Sequence, residues 1–212
     1  MRLPSRLRYL VMMARYTLTN DMADLALRLV GPGARARVAA EAPAGTRTLV
    51  DLLTGTGSVL LEYARRFPGA RLVAVDLDPR LLRVVAKRLT LSGYMGLEGV
   101  EADAREVPLP AETADVVNIS FGLHELKRRD RACVLGEAAR LLRPGGTLIV
   151  SDYRRVRGPA RPAAALYYRL AEPRWIGEMF DGGLERQVRD AGFEDVSRRG
   201  NLPLTQLITA RK

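Results

Sequence analysis

An α/β fold with a mostly parallel sheet, covered by helices on both faces, is what this sequence predicts, and three observations predict it. Short apolar runs that read as buried strands alternate with segments whose apolar residues recur at helical spacing, and such alternation builds parallel sheets joined by helical crossovers. Polar residues Asp51, Asp76, Asp103, Ser120 and Asp152 stand at or just after the ends of these runs, the edge at which open α/β sheets bind ligands. The 212 residues, 47% hydrophobic and 27% charged, suffice to bury one sizeable core.

In order, "TLVDLL" is the first expected strand, Val59 to Arg66 a helix, "RLVAVD" the second strand, and "PRLLRVVAKRLTL" a helix opened by Pro79. A short third strand falls near "LEGVEAD" and a fourth at "ADVVNISF". The helix "RDRACVLGEAARLL", stopped by Pro144 and Gly145, leads into the fifth strand, "GTLIVSD". The Arg- and Pro-rich "YRRVRGPARPAAALYYRLAEPRW" reads as a loop plus short helix, either a cap over the site or a connecting surface segment. "DGGLERQVRDAGF" reads as a helix, and "EDVSRRG" with "PLTQLITARK" as a closing pair of strands joined through Gly200 and Asn201, seven strands in all. With no internal repeat, one domain is expected: an N-terminal helical lid (1–44), a core (45–152), a cap insertion (153–175), and a C-terminal helix with closing strands (176–212).

The formal charge of +10 predicts attraction to polyanions without choosing among nucleic acid, an anionic bilayer and an acidic substrate. The single Cys133 excludes an internal disulfide and a Cys-rich metal site, and the single His124 excludes His pairs; this cysteine usage suits a cytoplasmic location. No apolar run approaches the roughly 20 residues that span a bilayer. The opening "MRLPSRLRYLVMMARYTLTND" places Arg2, Arg6, Arg8 and Arg15 among apolar residues at helical spacing. It reads as a basic amphipathic helix that lies peripherally on an anionic membrane or packs on the domain as a lid, with an organellar transit segment as a third alternative.

"LVDLLTGTGSVL" breaks an apolar run with Gly55 and Gly57, residues that let a backbone bend tightly and approach a ligand closely. The glycine that a dinucleotide fingerprint expects next is replaced by Leu60. Asp76 ends the second strand about 20 residues on, where a carboxylate accepts from adenosine ribose hydroxyls. The discriminating stretch is "EADAREVPLP", in which Asp103, beside the small Ala104, can accept from an adenine amino group.

This series resembles the class I S-adenosylmethionine-dependent methyltransferases from about Tyr16 to the C-terminus. Within that class "YTLTNDMADLAL", "DLLTGTG", "ADAREVPLPAETADVVNISFGL" and "ARLLRPGG" look most like the ubiquinone/menaquinone-biosynthesis C-methyltransferase group. The resemblance implies a Rossmann-like sheet, S-adenosylmethionine as cofactor, and no metal. It implies cofactor contacts from Thr56, Asp76, Asp103, Ala104 and Ser120, with Asp51, Gly55 and Gly57 shaping the loop around the methionine part. Tyr16 and Tyr153 are expected to line the acceptor pocket. Where the quinone group typically carries an Arg-Asn pair after "FG" and one further residue, this chain has His124 and Glu125. His124 is therefore the candidate catalytic base, the alternative being a residue that caps a helix start beneath the lid.

The acceptor stays open among a prenylated quinol precursor, a phospholipid head-group amine and a soluble secondary metabolite. A nucleic-acid acceptor is discounted: no Asn/Asp-Pro-Pro-aromatic sequence follows the fourth strand, and no aromatic-basic alternation suits base stacking. An NAD-dependent oxidoreductase would use Asp76 on ribose but leaves Asp103 and "LLRPGG" unexplained; a non-catalytic cofactor-binding protein is a third alternative.

Overall fold

The computed structural model describes residues 33–173, 175–201 and 205–212. The expected N-terminal helix, with Tyr16, lies outside them. The unit Arg35–Lys212 carries the sheet. Its elements are α1 (Ala34–Ala40), β1 (Thr48–Leu52), α2 (Leu60–Arg66), β2 (Arg71–Asp76), α3 (Pro79–Leu91), β3 (Leu97–Glu101), β4 (Ala114–Ser120), α4 (Arg128–Leu141) and β5 (Leu142–Tyr153). They continue with α5 (Arg161–Ala171), α6 (Trp175–Gly182), α7 (Leu184–Asp190), β6 (Glu194–Asn201) and β7 (Thr205–Arg211). Single 3-10 turns span Leu123–Glu125 and Gly158–Ala160.

All seven strands join one sheet in the order β3-β2-β1-β4-β5-β7-β6. β1 to β5 run parallel, and β7 lies antiparallel between β5 and β6. The chain reverses its direction of winding between β1 and β4, which opens a crevice at their carboxyl ends.

Period-two alternation divides the core between the sheet's faces. Val50, Leu52, Val117, Ile119 and Val150 pack on one face with α4 and the cap, while Leu49, Leu72, Ala74, Val116 and Ile149 pack on the other with α2 and α3. At about 25 cal/mol per Å² this two-sided burial is the main stabilising term. At the amino end of the sheet Asp115 accepts from the Arg47 and Thr48 amides and pairs with Arg143 at 2.7 Å, tying β1 to β4 and β5.

Three local expectations change. Pro144 and Gly145 were expected to form a stop before the fifth strand. They lie instead inside β5, in a register break where Gly145 N–H donates to Lys212 O and Lys212 N–H to Gly146 O. Pairing with the chain end outweighs the turn preference of these residues. A helix not expected from sequence, α6, precedes α7, and Gly183 at φ +64° separates the two. The closing strands do not join at Gly200 and Asn201: β6 continues through Asn201, which is in register with Gln206. Among the described residues no helix is long and apolar enough to cross a membrane.

Candidate active site

The loop after β1 is shaped by three residues with positive φ, Leu53 (57°), Gly55 (56°) and Gly57 (69°). A Cβ on Gly57 would lie 2.7 Å from Val85 Cγ1 of α3, so the loop and helix approach as closely as only glycine permits. Gly55 N–H donates to Asp76 Oδ2 at 2.8 Å, and Asp78 N–H to Asp76 Oδ1 at 3.0 Å. These bonds fix the carboxylate that ends β2. Thr54 stitches the strands, its hydroxyl donating to Asp51 O and accepting from Val75 N–H. From α3, Arg88 donates to Thr56 O and to Ser58 Oγ, which also lies 3.3 Å from Thr56 Oγ1.

Beneath the loop lies a buried polar column on one sheet face. Asn118 Nδ2 donates to Asp51 Oδ1 at 2.6 Å and to Ser120 Oγ at 3.1 Å, while Asn118 Oδ1 accepts from the Tyr63 hydroxyl at 3.1 Å. Burial raises the Asp51 pKa to about 7, against the lowering effect of the Asn118 and Thr54 hydrogen bonds. The column holds the ends of β1 and β4 in register beneath Gly55 and Gly57.

Asp103 follows β3, and Ala104 packs into the core, 3% exposed. The Asp103 carboxylate lies against Arg105, whose guanidinium donates to both oxygens, and Arg105 also reaches Asp130 at 2.9 Å. The hydrogen bond from Arg105 holds the Asp103 carboxyl below its usual range. The Arg105 backbone N–H also donates to Asp103 Oδ1 at 2.9 Å, so three N–H groups share the roughly four lone-pair sites of the carboxylate and about one is left for an amino group.

On the other face, His124 is clamped between carboxylates from two further elements. Its Nδ1 lies 2.8 Å from Asp152 Oδ1 and its Nε2 3.3 Å from Glu172 Oε2, with the imidazole 5% exposed. The His124 N–H also donates to Asp152 Oδ2. Burial works to lower the imidazole pKa, but Asp152 and then Glu172 overcome it and raise it to about 10. Both ring nitrogens thus face carboxylates that stabilise the imidazolium, an arrangement that favours a positioning role over the expected base role. Adjacent Glu125 is exposed but crowded; desolvation, then Glu172, Asp152 and Asp76 raise its pKa, against His124.

Around this clamp the cap builds an aromatic cluster. Tyr153 packs edge-on against Phe121, His124, Tyr167 and Tyr168, with centroids 5.5, 4.9, 6.2 and 5.6 Å away. Phe180 of α6 extends the cluster from Tyr168 at 5.2 Å. The Tyr153 and Tyr167 hydroxyls are 3.0 Å apart, and Tyr167 donates to Glu172 Oε1 at 3.0 Å.

The structure thus gathers Asp51, Gly55, Thr56, Gly57, Asp76 and Ser120 around the first loop. It sets Asp103 and Ala104 after β3, and it places His124 and Tyr153 together beside α5 and Glu172. Tyr16 lies outside the described residues. Sequence reasoning missed Tyr63, Arg88, Asn118, Tyr167 and Glu172. Asp152 carried a signal, since it stands at a strand end; the long-range partners carried none.

A protein-family model described as a methyltransferase domain matches residues 49–146. The chain is 37% identical over 185 residues to the ubiquinone/menaquinone biosynthesis C-methyltransferase UbiE of Syntrophotalea carbinolica, covering 84% of this chain and 73% of that protein. It is 35% identical to the protein of the same name from Bordetella parapertussis, over 78% of this chain, and spans 62% of that relative's length. The demethylmenaquinone methyltransferase of Thermus thermophilus is 35% identical, with 65% of this chain and 59% of that protein covered. In fold, the chain matches a SAM-dependent methyltransferase from Aquifex aeolicus with a TM-score of 0.71 at 18% identity, over 92% of this chain and 97% of that one. Glycine loop, strand-end carboxylates, sheet order and these relatives agree: the chain belongs to the class I S-adenosylmethionine-dependent methyltransferases, and within them it is similar to the ubiquinone/menaquinone-biosynthesis C-methyltransferases.

Proposed function

We propose that the enzyme methylates a hydroxylated aromatic acceptor of the prenylated quinol type. The observation that carries this reading is the aromatic cluster at the carboxyl ends of β4 and β5, in which Tyr153 and Tyr168 are buried while Phe121 and Tyr167 are half-buried and suited to face an aromatic ring with a polar substituent. The names of the quinone-biosynthesis relatives support the same acceptor class.

S-adenosylmethionine supplies an electrophilic methyl group on a sulfonium. The residues present fit it. Gly55, Thr56 and Gly57 offer close-approach backbone over the Asp51 column, with Ser120 at the column's upper end. Asp76 presents an oriented carboxylate for the ribose, Asp103 retains acceptor capacity for the adenine amino group, and Ala104 leaves room beside it. The carboxylates at the strand ends favour a cation there. Alignment of acceptor with methyl group is the chain's main contribution, a source of up to about 7–11 kcal/mol for ideally oriented groups. His124 acts as a positioning residue that ties cap to sheet. A prenyl tail gives the basic N-terminal segment a reason to meet an anionic membrane.

Two measurements test the reading. Calorimetry with S-adenosylmethionine is expected to show binding that Asp76→Asn weakens at least about tenfold, the loss of a charge-assisted ribose contact. Label from methyl-labelled cofactor is expected in a quinone-type product of a host lipid extract; label only in head-group amines or soluble metabolites would refute the proposed acceptor.

A further inference from the structure

We propose that Tyr153, Tyr167 and Glu172 form a proton relay that recognises the acceptor's hydroxyl and carries its proton away as the methyl group transfers. This rests on the hydroxylated-aromatic reading and names the group that replaces His124 as proton acceptor.

The relay has a defined polarity. A phenol carries one hydrogen. Tyr167 commits its own to Glu172 Oε1 at 3.0 Å, because an ionised carboxylate can only accept. Tyr167 is therefore the acceptor in its 3.0 Å contact with Tyr153, and Tyr153 is the donor. The Tyr153 side chain is buried, but its oxygen keeps lone-pair capacity, which an acceptor O–H entering past the half-buried Phe121 and Tyr167 would use. An ether or a bare ring carbon at that position offers it nothing, so the relay selects hydroxylated rings.

The charges around the relay are arranged to receive a proton at Glu172. The imidazole of His124, held by Asp152 from β5, lies 3.3 Å from Glu172 Oε2. Burial acts to raise the Glu172 pKa, but the His124 hydrogen bond and charge, and then the nearby tyrosine hydroxyls, bring it below the usual carboxylate range. Glu172 therefore rests ionised. Burial, the Glu172 charge and the Tyr167 contact all raise the Tyr153 pKa, so its hydroxyl stays protonated and hands on a proton only as it receives one. Glu125 from the 3-10 turn, Tyr168 from α5 and Arg154, whose charge acts on Tyr168, also face this site.

The step balances. As the methyl–sulfur bond breaks and the bond to the acceptor forms, the acceptor's O–H proton passes to Tyr153, the Tyr153 proton to Tyr167, and the Tyr167 proton to Glu172. The sulfonium charge and the carboxylate charge disappear together, leaving a neutral sulfide and a neutral carboxyl group. If a ring carbon takes the methyl group, that carbon's hydrogen returns to the oxygen by tautomerisation, and one proton still leaves through Glu172.

The full-length protein tests this by binding and by turnover. By calorimetry, wild type is expected to bind 1-naphthol about fivefold tighter than 1-methoxynaphthalene, the discrimination of one net hydrogen bond, and Tyr153→Phe to bind both alike. With a demethylated, prenylated naphthoquinol as acceptor, Tyr167→Phe and Glu172→Gln are each expected to lower kcat about a hundredfold, with KM and cofactor affinity unchanged. The double variant is expected to be no slower than either single one, because both break one path. In Glu172→Gln, log kcat should rise with pH as the acceptor ionises unaided. Tyr167 is only partly buried, so its variant keeps the test open should Glu172→Gln fail to fold. Equal binding of naphthol and ether by wild type, or losses that multiply in the double variant, would overturn the relay. A hydroxyl preference that Tyr153→Phe abolishes, without turnover of the naphthoquinol, supports the relay and overturns the quinol acceptor instead.

Discussion

Gly57 is the position at which the glycine loop after β1 tolerates least. Its φ of +69° and the 2.7 Å that would separate an added Cβ from Val85 Cγ1 combine strain with a clash, and Val85, β-branched and 1% exposed, cannot swing aside. Gly57→Ala should cost about 1–3 kcal/mol of stability by denaturant titration and weaken cofactor binding in calorimetry. Asp51 adds a pH signature. Its folded pKa of about 7 lies above the unfolded value, so the folded state binds the extra proton, and stability falls as pH rises from roughly 4 to 7. The fall amounts to up to about 4 kcal/mol, and Asp51→Asn should flatten that part of the stability profile. The glycines and strand-end acids were legible because backbone freedom and charge at a strand end are local properties. Asn118 and Tyr63 were not: their roles exist only once β4 and α2 are laid beside β1.

Among elements, the clamp of His124 between Asp152 and Glu172 joins the turn after β4, strand β5 and the residue following α5. Its folded pKa of about 10 exceeds the unfolded value. The stability it confers is thus present in full below about pH 6.5 and is lost as pH rises toward 10. His124→Gln should therefore be less stable than wild type near neutrality, the gap narrowing at alkaline pH, and amide hydrogen exchange in α5 should quicken in the variant at neutral pH. The apolar strand runs and the Pro-opened α3 are legible in the sequence because burial period and capping chemistry are written locally. Helix α6 is not, because "WIGEMFDG" is eight residues with glycines inside and at its end, so packing rather than propensity forms it. Pro144 and Gly145 read as a stop because the pairing partner, Lys212, is remote in sequence.

Across the whole molecule, the sheet separates two tasks: the glycine loop and the Asp51 column serve one face of the crevice, while the cap with its tyrosines serves the other. The fold class, the methyltransferase family and its cofactor followed from sequence. The acceptor side did not, since Glu172 meets His124 only through the cap. The net charge of +10 adds an expectation for the whole chain: binding to anionic vesicles that weakens steeply as salt rises, checked by co-sedimentation at two ionic strengths. The central claim is that this chain carries a methyl group from S-adenosylmethionine to a hydroxylated aromatic ring. The most direct test is label transfer from methyl-labelled cofactor to a demethylated, prenylated naphthoquinol by purified protein. The account predicts one labelled methyl group on that acceptor, lost when Asp76→Asn weakens cofactor binding; cofactor binding without label on the naphthoquinol or on any other hydroxylated aromatic acceptor would contradict it.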